Sequence, residues 1–179
     1  MKTRVFINGG EGTTGLRIVQ RLSERDDITL VTIDPDRRKD DGAVRKCMSE
    51  SDITFFCLPD DAARNAAALA EGLDVRIIDA STAHRTQTGW VYGFPELGFR
   101  EKIRTANRVA VPGCHASGFI SLVKPLRDAG VIAEDAFLSC FSLTGYSGGG
   151  KKMIVQYETP ERDALLEAPQ SLLDTLWQH

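Results

Sequence analysis

The sequence predicts an α/β domain built on a mainly parallel sheet, followed by the start of a second, α+β unit. Three observations predict it. Short apolar and β-branched runs alternate with segments of helical periodicity across residues 4–79. The first of those runs ends in a cluster of glycines, and a helical pattern follows directly. Beyond Asp79 the texture becomes rich in Gly, Pro and Thr, and alternation resumes around a Pro112-Gly113 turn.

Each element can be justified in order. Residues 4–8 (Arg-Val-Phe-Ile-Asn) are a short, mostly apolar run ending in glycines, the pattern of a buried parallel strand entering a tight turn. In residues 13–23, Leu16, Ile18, Val19 and Leu22 recur at near-helical spacing. Residues 28–33 form a second β-branched run, ended by Asp34-Pro35-Asp36. A helix is expected over 43–49, and a third buried strand over 52–58, stopped by Pro59-Asp60-Asp61. Residues 62–71 are alanine-rich and helical, with Gly72 as a stop. A fourth strand covers 74–79. Residues 81–100, with no clean period, read as a long ordered loop. A short strand is expected at 108–111, a helix at about 116–128 and a strand at 136–143. Gly145-Tyr146-Ser147-Gly148-Gly149-Gly150 is a flexible or ligand-hugging turn. The tail from Lys151 is helix-prone, with interruptions at Pro160 and Pro169. The domain boundary is expected near Val111 to Gly113, giving one domain over 1–112 and a second beginning at 113.

The bulk properties narrow the function. A 42% hydrophobic and 26% charged composition is that of an ordinary globular protein. The net charge of -3, without a basic stripe, argues against nucleic acid as a partner. No apolar run approaches the roughly 20 residues of a membrane helix. Met1-Lys2-Thr3-Arg4 leads straight into a strand-like stretch, so a cytoplasmic location is expected. Cys47, Cys57, Cys114 and Cys140 stand at irregular spacings with no Cys-x-x-Cys pair, which excludes a zinc ribbon and a disulfide framework. Cys57 and Cys140 lie in strand-like apolar runs and are expected in the core.

Gly9-Gly10-Glu11-Gly12-Thr13-Thr14-Gly15 stands at the first strand–helix junction. Gly9 permits a tight turn, Gly12 lets backbone approach a pyrophosphate, and Gly15 allows close helix–strand packing. The N–H groups of the following helix then face the phosphates. This predicts a Rossmann-type dinucleotide site. Asp34, at the end of the second strand, stands where an acidic residue holds the ribose hydroxyl of NAD. Arg37-Arg38-Lys39 nearby suits the 2′-phosphate of NADP, or is simply a solvated loop. The basic trio tilts the reading toward NADP.

Cys114 follows Val111-Pro112-Gly113 and precedes His115-Ala116-Ser117-Gly118, at the start of a helix. A thiol there meets the helix dipole and backbone donors, which favour thiolate. The alternative is a buried cysteine packed behind the helix. In a nicotinamide enzyme, a nucleophilic cysteine implies acyl or aldehyde chemistry through a thioester. Such chemistry needs an oxyanion stabiliser, for which the N–H groups of residues 114–116 are candidates. It also needs a phosphate cradle, for which Ser147, Gly148 and Lys151 are candidates beside the reading of that turn as a flexible hairpin. The general base is not apparent among His84, His115 and His179. His84 reads as a loop residue that stacks or caps locally.

Several ordered motifs together resemble the short subtype of the N-acetyl-gamma-glutamyl-phosphate reductase family. They are Gly9-x-x-Gly12-x-Thr14-Gly15, Cys57-Leu58-Pro59-Asp60-Asp61-Ala62-Ala63, Asp79-Ala80-Ser81-Thr82-Ala83-His84-Arg85, Gly93-Phe94-Pro95-Glu96-Leu97, Pro112-Gly113-Cys114 and Tyr146-Ser147-Gly148-Gly149-Gly150-Lys151-Lys152. The resemblance implies a Rossmann-type domain followed by the start of an α+β dehydrogenase catalytic domain. It implies NADP(H) on the glycine turn, at Gly9, Gly12, Thr13, Thr14 and Gly15, with Leu58-Pro59 near the nicotinamide and Ser81 as a further cofactor contact; Arg37 and Arg38 are the candidates for its 2′-phosphate from the basic trio itself. Arg85, Glu96, Ser147, Gly148 and Lys151 would meet an acyl-phosphate substrate. Cys114 would attack N-acetylglutamyl phosphate on the way to N-acetylglutamate 5-semialdehyde, a step of arginine biosynthesis. No metal is implied. The family's catalytic histidine lies in a His-rich segment followed by Pro-Glu, which would begin near where this chain reaches His179. A chain shortened relative to the family is therefore expected, with exposed apolar surface favouring a homo-oligomer. The alternatives are an inactive NADP-binding module and an enzyme like the aspartate-semialdehyde dehydrogenases.

Overall fold

Parallel strands need crossovers, and the amphipathic segments between the apolar runs supply them. In the computed structural model, which describes residues 2–145, 148 and 150–159, β1 (Thr3–Asn8) leads through α1 (Thr13–Ser23) to β2 (Ile28–Val31). The chain then passes through α2 (Asp41–Ser49) to β3 (Ile53–Phe56) and through α3 (Asp60–Leu69) to β4 (Arg76–Asp79). Further on come β5 (Val91–Tyr92), α4 (Arg100–Thr105), β6 (Arg108–Ala110) and α5 (Cys114–Asp128). All pairings are parallel, in the order β2-β1-β3-β4-β6-β5. This is the Rossmann-like α/β sheet that the alternating sequence predicts. Because β2 lies on one side of β1 and β3 on the other, the chain reverses direction across the sheet between β1 and β3. Open α/β sheets bind their ligands at that switch point.

The core lies between the sheet and the α2–α3 face. Phe6, Phe56 and Ile77 from three strands meet Val44, Cys47 and Met48 from α2 and Ala63, Ala66 and Ala70 from the α3 segment. The alanines let α3 lie close against the sheet, and Phe56, Met48, Ala63 and Ile77 are fully sealed. Asp40 starts α2 by accepting a hydrogen bond from the Ala43 N–H at 2.7 Å. Gly72, with φ +75°, follows the end of α3 as expected.

Two expectations are corrected. Residues 136–143 form no strand, and Phe137, Phe141 and Leu143 are exposed. A strand needs a neighbour for its backbone groups, and among the described residues none pairs with this segment. Cys140 is accordingly exposed rather than in the core. The stretch 81–100 is also more structured than a loop, since it contains β5 and a 3-10 turn at Pro95–Leu97, and α4 follows. Arg76 fastens the end of α4: its guanidinium donates to the carbonyls of Ile103, Arg104 and Ala106 at 3.0, 2.9 and 3.1 Å.

The chain divides into two units, with the division between Ser139 and Cys140. The second contains α6 (Gly150–Glu158), in agreement with the helical tendency of the tail.

Candidate active site

The glycine turn joins β1 to α1 with little spare room. Gly9 has φ +86°, and a Cβ there would lie 2.3 Å from the carbonyl oxygen of Cys57. A Cβ on Gly15 would lie 2.3 Å from the oxygen of Gly9 and 2.7 Å from Cα of Gly10. These two glycines are therefore demanded by the protein itself. Gly12 differs. As the N-cap of α1 it has ordinary extended geometry, and a Cβ there would meet only the Gly9 oxygen, at 3.7 Å. It keeps clear a space that the protein leaves open. No side chain caps α1 and no acidic residue stands in its first turn, so the N-terminus of α1 is shaped for an anion. Thr13 and Thr14 open that helix; the side chain of Thr13 lies outside the described residues.

Two cavities flank this turn. One of about 410 Å³ is bordered by Gly9, Gly10, Glu11, Ile33, Arg38 and Lys39, with Leu58 at its edge. The other, about 150 Å³, is lined by Gly12, Thr14, Cys57, Leu58 and Ala80. Leu58 lines both; the first lies beside β2 and is mostly apolar, with Arg38, Lys39 and Glu11 at it, and the second lies by the ends of β3 and β4. A glycine cradle between two such cavities fits the two halves of a dinucleotide and the pyrophosphate joining them. Arg38 and Lys39 face the first cavity, and Arg38 forms an ion pair with Glu11. Arg37 turns instead to Asp40, at 3.2 Å, and borders neither cavity. Asp34 accepts from the Asp36 N–H at 3.0 Å and caps the 3-10 turn Pro35–Arg37. Pro59 serves as the N-cap of α3 rather than lining either cavity.

Past the strand ends, backbone bonds keep the loops side by side. The N–H of Cys57 donates to Asn8 O at 2.8 Å, that of Ala80 to Phe56 O at 2.9 Å, and that of Val111 to Asp79 O at 2.7 Å. The glycine turn and the Pro112-Gly113-Cys114 turn therefore share one edge of the sheet, three strand spacings apart, or on the order of 14 Å. Cys114 is the first residue of the 15-residue α5 and is exposed. Gly113 is the N-cap, without a side-chain cap, and no acidic residue stands in the first turn. The nucleophile candidate therefore sits where helix donors are concentrated.

The other thiols are set apart from it. Burial and the nearby Asp79 carboxylate push the Cys57 thiol up to about 11, so it stays protonated at neutral pH. Burial likewise raises Cys47, whose Sγ lies 3.8 Å from Thr32 O. Cys140 is exposed but has no helix around it.

Ser81 and His84 form a buried cluster with Asp79. Ser81 donates its N–H to Asp79 Oδ1 at 2.9 Å and its hydroxyl to Oδ2 at 2.7 Å, and His84 Nδ1 lies 2.6 Å from Oδ2. The His84 ring stacks on Trp90 with centroids 4.0 Å apart. His84 thus stacks locally, one of the two roles its sequence setting suggests, and its Nδ1 is engaged by Asp79. Ser81 spends its hydroxyl on Asp79. Arg85 donates through Nε to Val111 O at 2.9 Å and lies against Gly113. Glu96 borders a cavity of about 450 Å³ shared with Ser121, Lys124 and Asp128, about two to four turns along α5 from Cys114. Ser147 and the side chain of Lys151 lie outside the described residues; Gly148 belongs to the second unit, where its N–H donates to Gly145 O at 2.8 Å. Among the described residues no cluster of His, Cys, Asp or Glu suits a metal ion, and no helix is long and apolar enough to cross a membrane.

Glu11 was missed as a site residue in the sequence, and its ion pair with Arg38 reveals it. A carboxylate inside a glycine turn, followed by a basic trio after the second strand, is the signal available in the sequence.

Comparison with known proteins agrees with this geometry. Residues 4–106 match the family described as semialdehyde dehydrogenase, NAD binding domain. The N-acetyl-gamma-glutamyl-phosphate reductase of Trichormus variabilis is 49% identical over 160 residues, covering 88% of this chain and 50% of that protein. The protein of the same name from Brucella anthropi is 48% identical over 161 residues, covering 88% and 52%. The chain thus spans about half the length of the curated relatives it matches. Among solved structures, aspartate semialdehyde dehydrogenase from Francisella tularensis superposes with a TM-score of 0.62 at 14% identity, over 93% of this chain and 54% of that one. Aspartate semialdehyde dehydrogenase II from Vibrio cholerae gives 0.61 at 19%, over 89% and 51%. At such identities these structures speak for the fold alone. The chain belongs to the semialdehyde dehydrogenase NAD-binding-domain family and is a homologue of the N-acetyl-gamma-glutamyl-phosphate reductases.

Proposed function

We propose that this chain carries the NADP(H)-binding and nucleophile-bearing portion of an enzyme that reduces N-acetyl-gamma-glutamyl phosphate to N-acetylglutamate 5-semialdehyde. Residues 1–112 would hold the cofactor, and the catalytic part would begin at residue 113. The observation that carries the reading is the common sheet edge bearing an open glycine cradle at one strand tip and Cys114, heading α5, at another. Relatives named for that reaction, at about half identity, support the substrate class.

The Cys114 thiolate would attack the acyl carbon, the bond from that carbon to the phosphate oxygen would break, and a thioester and free phosphate would result. N–H groups at the start of α5 stand ready for the oxyanion. The glycine cradle would hold the dinucleotide, which would supply a hydride to the thioester carbon. The tetrahedral oxyanion so formed would collapse to aldehyde, its C–S bond breaking and the electron pair returning to sulfur as thiolate. Arg38 and Lys39, which line the cavity beside β2, favour a 2′-phosphate and hence NADP over NAD. The match of residues 4–106 to an NAD-binding-domain family favours a second reading, a nucleotide-binding module without turnover. Exposed Leu122 and Val131 support self-association of the chain.

The test is phosphate-dependent reduction of NADP by N-acetylglutamate semialdehyde, run beside Cys114→Ala. Activity that disappears in the variant supports the reductase. NADPH binding without turnover selects the second reading.

A further inference from the structure

Gly113 immediately precedes the proposed nucleophile, yet its backbone does not require glycine. Its φ of -81° and ψ of 152° are open to any residue. What a side chain there would meet is Arg85, whose guanidinium would have to shift to admit it. A Cβ on Gly113 would fall 2.6 Å from Arg85 Nη1, 3.2 Å from Cζ and 3.5 Å from Nη2. The guanidinium therefore lies against the Cα of Gly113. The same group donates through Nε to Val111 O at 2.9 Å and places Nη2 3.5 Å from Ala80 O. It spans the ends of β4 and β6 and braces the turn that delivers Cys114 to the head of α5.

We propose that Arg85 is a positioning residue for Cys114, and that Gly113 is the surface that receives it. This rests on the reading of Cys114 as nucleophile. Two consequences follow from the geometry. The direction in which α5 starts is fixed by the backbone of residues 111–113, so holding Val111 O and Gly113 together fixes where the thiol points. The guanidinium also brings a permanent positive charge beside the residue preceding the thiol. Lysine has the charge but not the planar fork that reaches two carbonyls while lying against Gly113. Arg85 borders neither cavity beside the glycine turn, so its removal should leave nucleotide affinity unchanged.

The experiment follows iodoacetamide labelling of Cys114 by mass spectrometry in the 179-residue chain, with exposed Cys140 as internal reference. Arg85→Ala should slow Cys114 at least fivefold, with Cys140 and NADPH affinity unchanged. Guanidinium ion at tens of millimolar should restore part of the rate, and Arg85→Lys should restore less than half. Gly113→Ala should slow Cys114 when Arg85 is present and have less than a twofold effect in the Arg85→Ala background, because the clash is gone. This coupling gives an independent reading should Arg85→Ala alone fold poorly. Additive effects of the two substitutions, or unchanged labelling of Cys114 in Arg85→Ala, would overturn the positioning role while leaving the nucleophile intact. If Cys114 reacts no faster than Cys140 in the unsubstituted chain, the nucleophile reading falls and the positioning role with it.

Discussion

The carbonyl oxygen of Cys57 stands 2.3 Å from the point where a Cβ on Gly9 would fall, so the tip of β3 is pressed against the turn that leaves β1. Gly9→Ala must resolve that overlap and also hold alanine at φ +86°. Left-handed backbone costs about 1–2 kcal/mol and overpacking about 1–3 kcal/mol, so a loss of about 3 kcal/mol is expected in urea denaturation. Gly12→Ala faces neither problem and should cost at most about 1 kcal/mol. It should nonetheless weaken NADPH binding at least tenfold, because its methyl enters the open space of the cradle. Equal stability losses in the two variants would refute this division of labour.

The Arg38–Glu11 pair predicts a particular pattern of nucleotide preference. Both side chains are exposed enough that the pair itself contributes no more than about 1 kcal/mol to stability. Arg38→Ala should lower NADPH affinity about tenfold with little change for NADH. Glu11→Gln removes a carboxylate that competes with phosphate for Arg38, so NADPH should bind several-fold more tightly. Isothermal titration with both nucleotides checks this, and equal losses for NADH and NADPH in Arg38→Ala would place the 2′-phosphate elsewhere.

Cys57 gives the fold an alkaline limit. Its thiol is raised from 9.0 to about 11 by burial and by Asp79. The folded state therefore favours the protonated thiol. The stabilisation is fully present below pH 9 and is lost as pH rises through 11. With partial exposure taken into account, a loss of up to about 2 kcal/mol is expected between pH 9 and 11. Cys57→Ser should flatten that slope in pH-dependent denaturation. A thiol reagent at pH 7 should label Cys114 and Cys140 and spare Cys57 and Cys47.

Removing the acceptor at the centre of the buried cluster should be costly. Asp79→Leu leaves the Ser81 N–H, the Ser81 hydroxyl and His84 Nδ1 without their partner. Unpaired buried groups cost about 1–3 kcal/mol each, and a loss of about 3 kcal/mol is expected. Asp79→Asn should cost only about 1 kcal/mol, since the hydroxyl can rotate and the imidazole can carry its proton on Nε2, so that both accept from an amide. Loosening of His84 from Trp90 should appear in the near-ultraviolet circular dichroism of the leucine variant first.

The first four strands were legible because β-branched runs alternate with amphipathic helices at a short period, and the glycine turn because it stands at their first junction. The start of α5 was legible because Pro112 and Gly113 end one pattern before another begins. The six-residue α4 carries no apolar stripe and depends on Arg76, 27 residues away from Ile103 in sequence, so no local reading finds it. Residues 136–143 have the composition of a strand, but composition cannot supply a neighbour. Among the basic trio, only the fold separates Arg38 and Lys39, facing the cavity, from Arg37, which is engaged by Asp40.

Leu58 belongs to both cavities beside the glycine turn. A ligand with a head in each is held as a tethered pair: once one head lodges, the other samples its own cavity at an effective concentration on the order of millimolar. Under the proposed cofactor reading, the linkage between the heads contributes as much as the contacts of either. Adenosine 2′,5′-bisphosphate and nicotinamide mononucleotide, supplied together but unjoined, would not add up to the affinity of the intact dinucleotide. Leu58, which lines both cavities, stands where such a span would pass.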